Sequence, residues 1–468
     1  MMLEEKIQKF LPIFNAIVTK LFKGKYTYLV WLAIPFLMII ALSFLSKTFG
    51  DSNRMITGKG EIIILDVLFI LLYTIPLALY YKFKNFKFKL SFSNIILLSP
   101  IAFFFRLWLA SLGGNYDLES YNIVADIILD GRSVYGNTYR YNYGPVWAYI
   151  LAGCKFVALN FNDSGKVFHY LIVCILFTAE FYIGYQLSKK YKNPLLFLLF
   201  VFNPIGIIIA GYHSQFDILA IAVALASSIQ LSKNNILKAA ILLGLSLMIK
   251  HIMVFYAFYI IFDKSISLKN KAIFTFLPVG IFLISFVPFL KDLEAIKENV
   301  FGYKFGFNAG IYSQILHFIF PERILNTALF KWLPVFKDWM FLWFFTMVTL
   351  GYLTNKYIKK YTFEMYSLVL VFTSVSFSEQ YLYIPVLSLV VFYKYYAAWV
   401  YTFLATFFLM FYSINNLAHQ GWLKLFCVDV PREKLYISYP NMQIWLLVII
   451  IILFKKFYTK EDINKGIQ

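Results

Sequence analysis

Charge is what this chain has least of. Of its 468 residues only 14% are Asp, Glu, Lys or Arg, against about 25% in a soluble globular domain, while 61% are hydrophobic and 21% aromatic. A water-soluble fold of this length has no interior large enough to hide that apolar surface, which excludes the ordinary soluble enzyme classes. Cysteine is also scarce: Cys154, Cys174 and Cys427 stand far apart, two of them in or beside apolar runs. That spacing excludes a disulfide framework and a C-x-x-C zinc site. Acidic residues number 24 against 43 basic ones, a formal balance of +19. In a chain this apolar the excess belongs to cytoplasmic loops and lipid headgroups, so membrane lipids are expected partners and nucleic acid is not.

What is present is a succession of apolar runs long enough to cross a hydrocarbon core of ~30 Å. The predicted spans are 27–46, 62–81, 92–112, 167–187, 194–211, 216–231, 236–249, 252–262, 272–290, 338–354, 363–377, 381–393, 395–416 and 442–454. Residues 145–160 are either re-entrant or a further crossing. The fold class is therefore an all-α polytopic membrane protein of about 13–15 transmembrane helices with an amphipathic helix in an outer loop. The organisation predicted is a cytoplasmic amphipathic segment or plain tail over 1–26, two N-terminal helices over 27–91, a membrane module over 92–393, and C-terminal helices with a cytoplasmic tail over 394–468. The segment MMLEEKIQKFLPIFNAIVTKLFKGK alternates apolar and charged residues, and so reads as interfacial and not as a cleavable signal.

Basic connections at 82–89, 188–193, 232–235, 263–271, 355–361 and after 454 go to the cytoplasm by the positive-inside rule. The outer face then receives 113–144, the turns at 211–217, 250–251 and 378–380, and the loops 291–311 and 417–441. Nearly all chemically capable side chains fall there. Loop 113–144, with outer helix 118–130 stopped by Gly131, carries Asp117, Glu119, Asp126 and Asp130. Asp117 stands at the exit of a span, where it either caps the helix or serves as a general base. Asn203-Pro204 breaks an apolar run before a turn holding His213, Gln215 and Asp217, mixed donors and acceptors suited to a hydroxyl-rich ligand. A plain polar turn with Asp217 as helix cap is the alternative. Lys250-His251 interrupts another run, and with Lys304 and Lys291 offers positive charge to a phosphate. Glu379, Gln380 and Tyr381 fill a tight turn between two apolar runs, where the carboxylate needs a cation or a ligand hydroxyl.

These residues carry a resemblance. The carboxylate of N-Y-D-L-E-S-Y, the following G-R-S-V-Y…Y-N-Y-G-P-V-W, N-P…H-S-Q-F-D (203–217), L-M-I-K-H-I-M-V-F-Y-A (247–257) and S-E-Q-Y-L-Y-I-P (378–385) resemble, in the same order, motifs of the GT-C glycosyltransferase superfamily. The likeness runs from about residue 92 to 393. It departs from the pattern in the two preceding spans and in Ser378, which stands where the relatives have histidine. The resemblance implies a GT-C-like bundle and transfer of a hexose, mannose by analogy, from a polyprenyl-phosphate-linked donor to a glycan or glycolipid acceptor, with inversion. On this reading Asp117 is the general base and Glu119 the alternative. Lys250, His251 and Lys304 hold the donor phosphate, while His213, Gln215, Asp217, Glu379, Gln380 and Tyr381 bind sugar or acceptor. No cofactor is expected, and Asp117-Leu118-Glu119 is the one acid-x-acid pair open to a metal. The rival class is a lipid-linked glycan transporter, flippase or polymerase, expected to carry ionisable residues mid-span in two related halves. No internal repeat is visible, and the ionisable residues are read as clustering at one boundary. A non-catalytic scaffold of a glycan-synthesis complex is the third class. Abundant Lys, Ile, Asn and Phe point to an AT-rich genome and a prokaryotic plasma membrane, with the site extracytoplasmic.

Overall fold

The computed structural model describes residues 96–302, 340–374, 378–412 and 438–465. Everything described is helix or connection, without strands. The expectations for 1–95, including the N-terminal segment and the first two spans, lie outside the described residues, as do Lys304, Cys427 and most of 417–441.

Helix α1 (Ser99–Ser111) leads into α2 (Tyr116–Leu129), followed by α3 (Pro145–Ala158) and the long α4 (Ser164–Tyr191). The run 194–211 divides into α5 (Leu195–Val201) and α6 (Pro204–Gly211), because Pro204 has no N–H to continue a helix and Asn203 caps the new one. Then come α7 (Asp217–Ser232), α8 (Ile236–Ile249), α9 (Tyr256–Ile261) and α10 (Leu268–Ile284). After the undescribed stretch follow α11 (Met340–Tyr357), α12 (Thr362–Phe372), α13 (Val386–Val391), α14 (Tyr396–Tyr412) and α15 (Ser438–Lys465). The short amphipathic helix predicted at 118–130 is α2, and Gly131 ends it in the left-handed region at φ +71°.

Among the described residues, fewer helices pass for full crossings by length and composition than the apolar runs predict. Among the described residues only α4, about 42 Å long at ~1.5 Å per residue, is long and apolar enough to cross a bilayer alone. The pair Leu268–Ile284 and Val287–Phe301, bent by 61°, makes a second if counted as one span. Shorter apolar helices, among them α3, α7 and α8, lie where polar turns and prolines such as Asn203-Pro204 and Lys250-His251 divide the runs.

α4 is central, packing on α1, α3, α5 and α7, while α8 packs between α7 and α10. α3 lies alongside α2: Trp147 near its start meets Tyr121, and Lys155 near its end meets Asn122 and Asp126. Both ends of α3 therefore stay beside α2. Two glycines permit the closest backbone approaches that build the site. A Cβ on Gly144 would lie 2.1 Å from the Met248 carbonyl oxygen, and one on Gly211 would lie 2.9 Å from that of Arg106.

The connections gather into two separate clusters. One joins 115–121, 143, 213–217, 250 and 379–381 through side-chain contacts. The other joins Lys190 to Glu364, Tyr191 to Tyr361, and Lys359 to Asp263 and Ser265. Apart from Glu364 and Tyr381, which stand at the starts of predicted spans, each cluster draws on connections that the charge pattern assigns to one face.

Candidate functional site

Asn115 is the N-cap of α2, its side-chain oxygen accepting from the Asp117 N–H at 3.1 Å. Of the two alternatives for Asp117, this removes the capping one. With the backbone donors served by its neighbour, the Asp117 carboxylate turns inward, where Oδ2 accepts from Asn115 Nδ2 at 3.1 Å and from Gln215 Nε2. Tyr121, one turn on, donates to Gln215 Oε1 at 3.4 Å. Burial raises the Asp117 pKa above the ordinary aspartate value; the hydrogen bond from Asn115 and the nearby Lys250 charge oppose this only in part.

His213 Nδ1 lies 2.8 Å from Asn115 Nδ2; with the amide donating, the ring proton sits on Nε2. That Nε2 is buried and has no hydrogen-bond partner among the described residues. Burial pulls the His213 pKa down to about 3, so the ring is neutral at physiological pH and its N–H is a free donor inside the cluster. Glu379 reaches the same histidine, Oε2 standing 3.7 Å from Nδ1. Gln380 takes a hydrogen bond from Ser378 within its own turn, and the Tyr381 ring faces Lys250 at 6.0 Å.

Asp217 opens α7 without capping it, and its Oδ2 accepts from Lys250 Nζ at 2.7 Å with both side chains almost wholly buried. The Tyr143 and Phe216 rings lie 5.0 Å from the ammonium. Lys250 and Asp217, expected to serve a phosphate and a sugar separately, are thus committed to each other. His251 faces elsewhere, its ring 5.9 Å from Phe282, and burial followed by the Lys250 charge lowers its pKa to about 4. The adjacent pair therefore does not present two cations to one anion. Glu119 is exposed and pairs with Arg140 at 3.2 Å, so it diverges from Asp117 and the two do not form a converging acid-x-acid site. Asp126 and Asp130 are exposed partners of Lys155 and Arg132.

No family model matches this sequence, and neither does any curated protein.

Residues that the sequence reading passed over complete the cluster. Asn115 could have been chosen as cap on type alone, since Asn and Asp serve equally well there. Arg140 stacks over Tyr116 at 4.3 Å, a guanidinium beside the first turn of α2. Tyr141 clamps the start of α3, donating to the Gly144 carbonyl at 2.5 Å and accepting from the Ala148 N–H at 2.9 Å, which fixes the Gly144 backbone next to Tyr143. Deeper, Arg106 of α1 and Glu180 of α4 pair at 2.5 Å, both fully buried, and the Tyr383 hydroxyl donates to Glu180 at 2.5 Å. This corrects the reading that ionisable residues gather at one boundary, and two lone charges inside apolar runs were the available signal. The network ties α1, which leads to Asp117, to the turn Glu379–Tyr383.

Proposed function

We propose that this chain is a polytopic membrane glycosyltransferase that moves a hexose, mannose by analogy, from a polyprenyl monophosphate to a hydroxyl of a glycan or glycolipid on the outer face. The observation that carries the proposal is the convergence of Asp117, His213, Gln215 and Glu379, up to 262 positions apart in sequence, around one half-buried carboxylate. A carboxylate that is not spent on capping, is held by two amides and has a raised pKa is suited to accept a proton from an incoming hydroxyl. In the mechanism Asp117 takes the acceptor proton as the hydroxyl oxygen attacks the anomeric carbon, and the bond to phosphate breaks on the opposite side with inversion. Gln215 and Asn115 fix the carboxylate, and the His213 Nε2–H donates to a ligand oxygen. Lys250 balances Asp217 and so keeps net charge near Asp117 low. With Lys250 committed to Asp217 and His251 turned toward Phe282, the leaving phosphate is assigned to Arg140, which stands beside the first turn of α2.

Membrane residence is supported by the run of apolar segments and by large apolar side chains that stay exposed on α8, α10 and α11, among them Leu237, Phe276 and Phe345. The transporter reading draws on Arg106 and Glu180, which do lie inside helices. They are fully buried and paired with each other and Tyr383, the arrangement of a structural cross-link. The test is incubation of purified protein with radiolabelled polyprenyl-phosphate mannose or glucose and a membrane glycolipid extract. Label moving into glycolipid supports the proposal, and retention of all label on the donor counts against it.

A further inference from the structure

The helix α10 ends at Ile284, and the chain then turns by 61° into a 3-10 helix over Val287–Asp292 that continues through Leu293–Ile296 and a π-turn to Phe301. A 3-10 helix has three residues per turn, so side chains three apart stand in line. The sequence follows that period. Phe286, Phe289 and Asp292 form the inward row: both rings pack on Tyr135, at 5.5 and 5.1 Å, and Asp292 sits against Gly136, where a Cβ would lie 2.2 Å from its carboxylate. Val287, Leu290 and Leu293 form a second row that is apolar yet exposed, at 54%, 58% and 42%. Pro288, Lys291 and Glu294 form the third row, exposed and mostly polar. The period survives a departure from helical dihedrals at Phe289.

An element with one face on the protein, one apolar face and one polar face has an environment for each only at the boundary between headgroups and acyl chains. Its apolar row also continues the exposed Leu283 and Ile284 of α10, so the apolar stripe turns the corner with the chain. We infer that residues 287–294 lie along the headgroup–acyl boundary of the outer leaflet and, through Tyr135 and Gly136, hold the 131–141 loop and the neighbouring Asp117 cluster at that depth. This rests on the membrane reading but not on the chemistry assigned to the site.

The test uses the full chain with its three cysteines replaced by Ala, an environment-sensitive fluorophore on single introduced cysteines, and reconstitution in phosphatidylcholine vesicles. Probes at Leu290→Cys and Leu293→Cys should lose fluorescence to bromines near the carbonyl end of the acyl chain, more than to mid-chain bromines. Probes at Lys291→Cys and Glu294→Cys should lose it to aqueous iodide. Thr178→Cys, exposed midway along α4, is the control and should respond to mid-chain bromines. If Thr178→Cys responds and the two leucine positions answer only to iodide, or to no quencher, the interfacial placement is wrong. A Thr178→Cys probe insensitive to every lipid bromine would instead remove the membrane reading, and this inference with it.

Discussion

The Lys250–Asp217 pair offers a sharp energetic test of the site's architecture. At 2.7 Å between nearly inaccessible atoms, the direct attraction is about 6 kcal/mol at an effective dielectric constant near 20. Desolvation of both ions offsets most of this, so the pair adds little net stability over an apolar substitute; removing one partner, however, strands a buried charge at a cost of about 3–5 kcal/mol. Lys250→Met leaves the Asp217 carboxylate with only the first turn of α7 as compensation, worth about 0.3–1 kcal/mol, and should lie within that range. Asp217→Asn leaves the ammonium between Tyr143 and Phe216, whose rings return up to ~2 kcal/mol, so its loss should be smaller, about 2–4 kcal/mol. The double variant Asp217→Asn with Lys250→Met should recover to within about 1–2 kcal/mol of wild type. The assay is denaturant unfolding in detergent micelles followed by far-ultraviolet circular dichroism. Single losses below about 0.5 kcal/mol, or losses that simply add in the double variant, would refute the pairing.

Further outcomes follow from the same geometry. Gly144→Ala sets a methyl against the Met248 backbone, which cannot rotate away, so it should destabilise by at least ~1–3 kcal/mol in the same unfolding assay. Glu180→Gln should cost about 3–5 kcal/mol by stranding Arg106, and Arg106→Met with Glu180→Leu should recover most of it; equal stability of Glu180→Gln and wild type would contradict a buried pair. A base must be deprotonated, so transfer should rise with pH through the Asp117 pKa, with its midpoint above the ~3.9 of a free aspartate. Lys250→Met removes a charge that favours the carboxylate and should move that midpoint further up; a pH–rate profile of the two proteins checks the sign.

Local structure was legible where the cause is local. The apolar period and flanking polar residues place 236–249 on α8, Pro204 divides a run because it cannot donate, and Gly131 ends α2 because it tolerates φ +71°. The four turns that form the site could be named as polar punctuation in apolar sequence. Their mutual arrangement could not, because pairing is a property of two positions: nothing in KH or QFD says that Lys250 meets Asp217 across 33 residues, or that Asn115 reaches His213 across 98. Asp117 and Asn115 are both good caps, so spacing alone could not tell which side chain caps the helix and which turns inward. Arg106 and Glu180 carried a visible signal, two charges in apolar runs, but each reads as a defect until the other is brought beside it.

The general-base assignment is tested most directly by comparing Asp117→Asn with Glu119→Gln in the radiolabelled transfer assay. Burial raises the Asp117 pKa, so the native state holds that proton more tightly than the unfolded chain; its contribution to stability is present at low pH and is lost as pH rises through the folded value. A neutral amide avoids that loss, so Asp117→Asn should fold and insert normally at neutral pH. The account predicts transfer by Asp117→Asn reduced by about 10²-fold or more, the weight of a general base, with Glu119→Gln close to wild type. Near-normal transfer by a folded Asp117→Asn, with Glu119→Gln inactive, would contradict it.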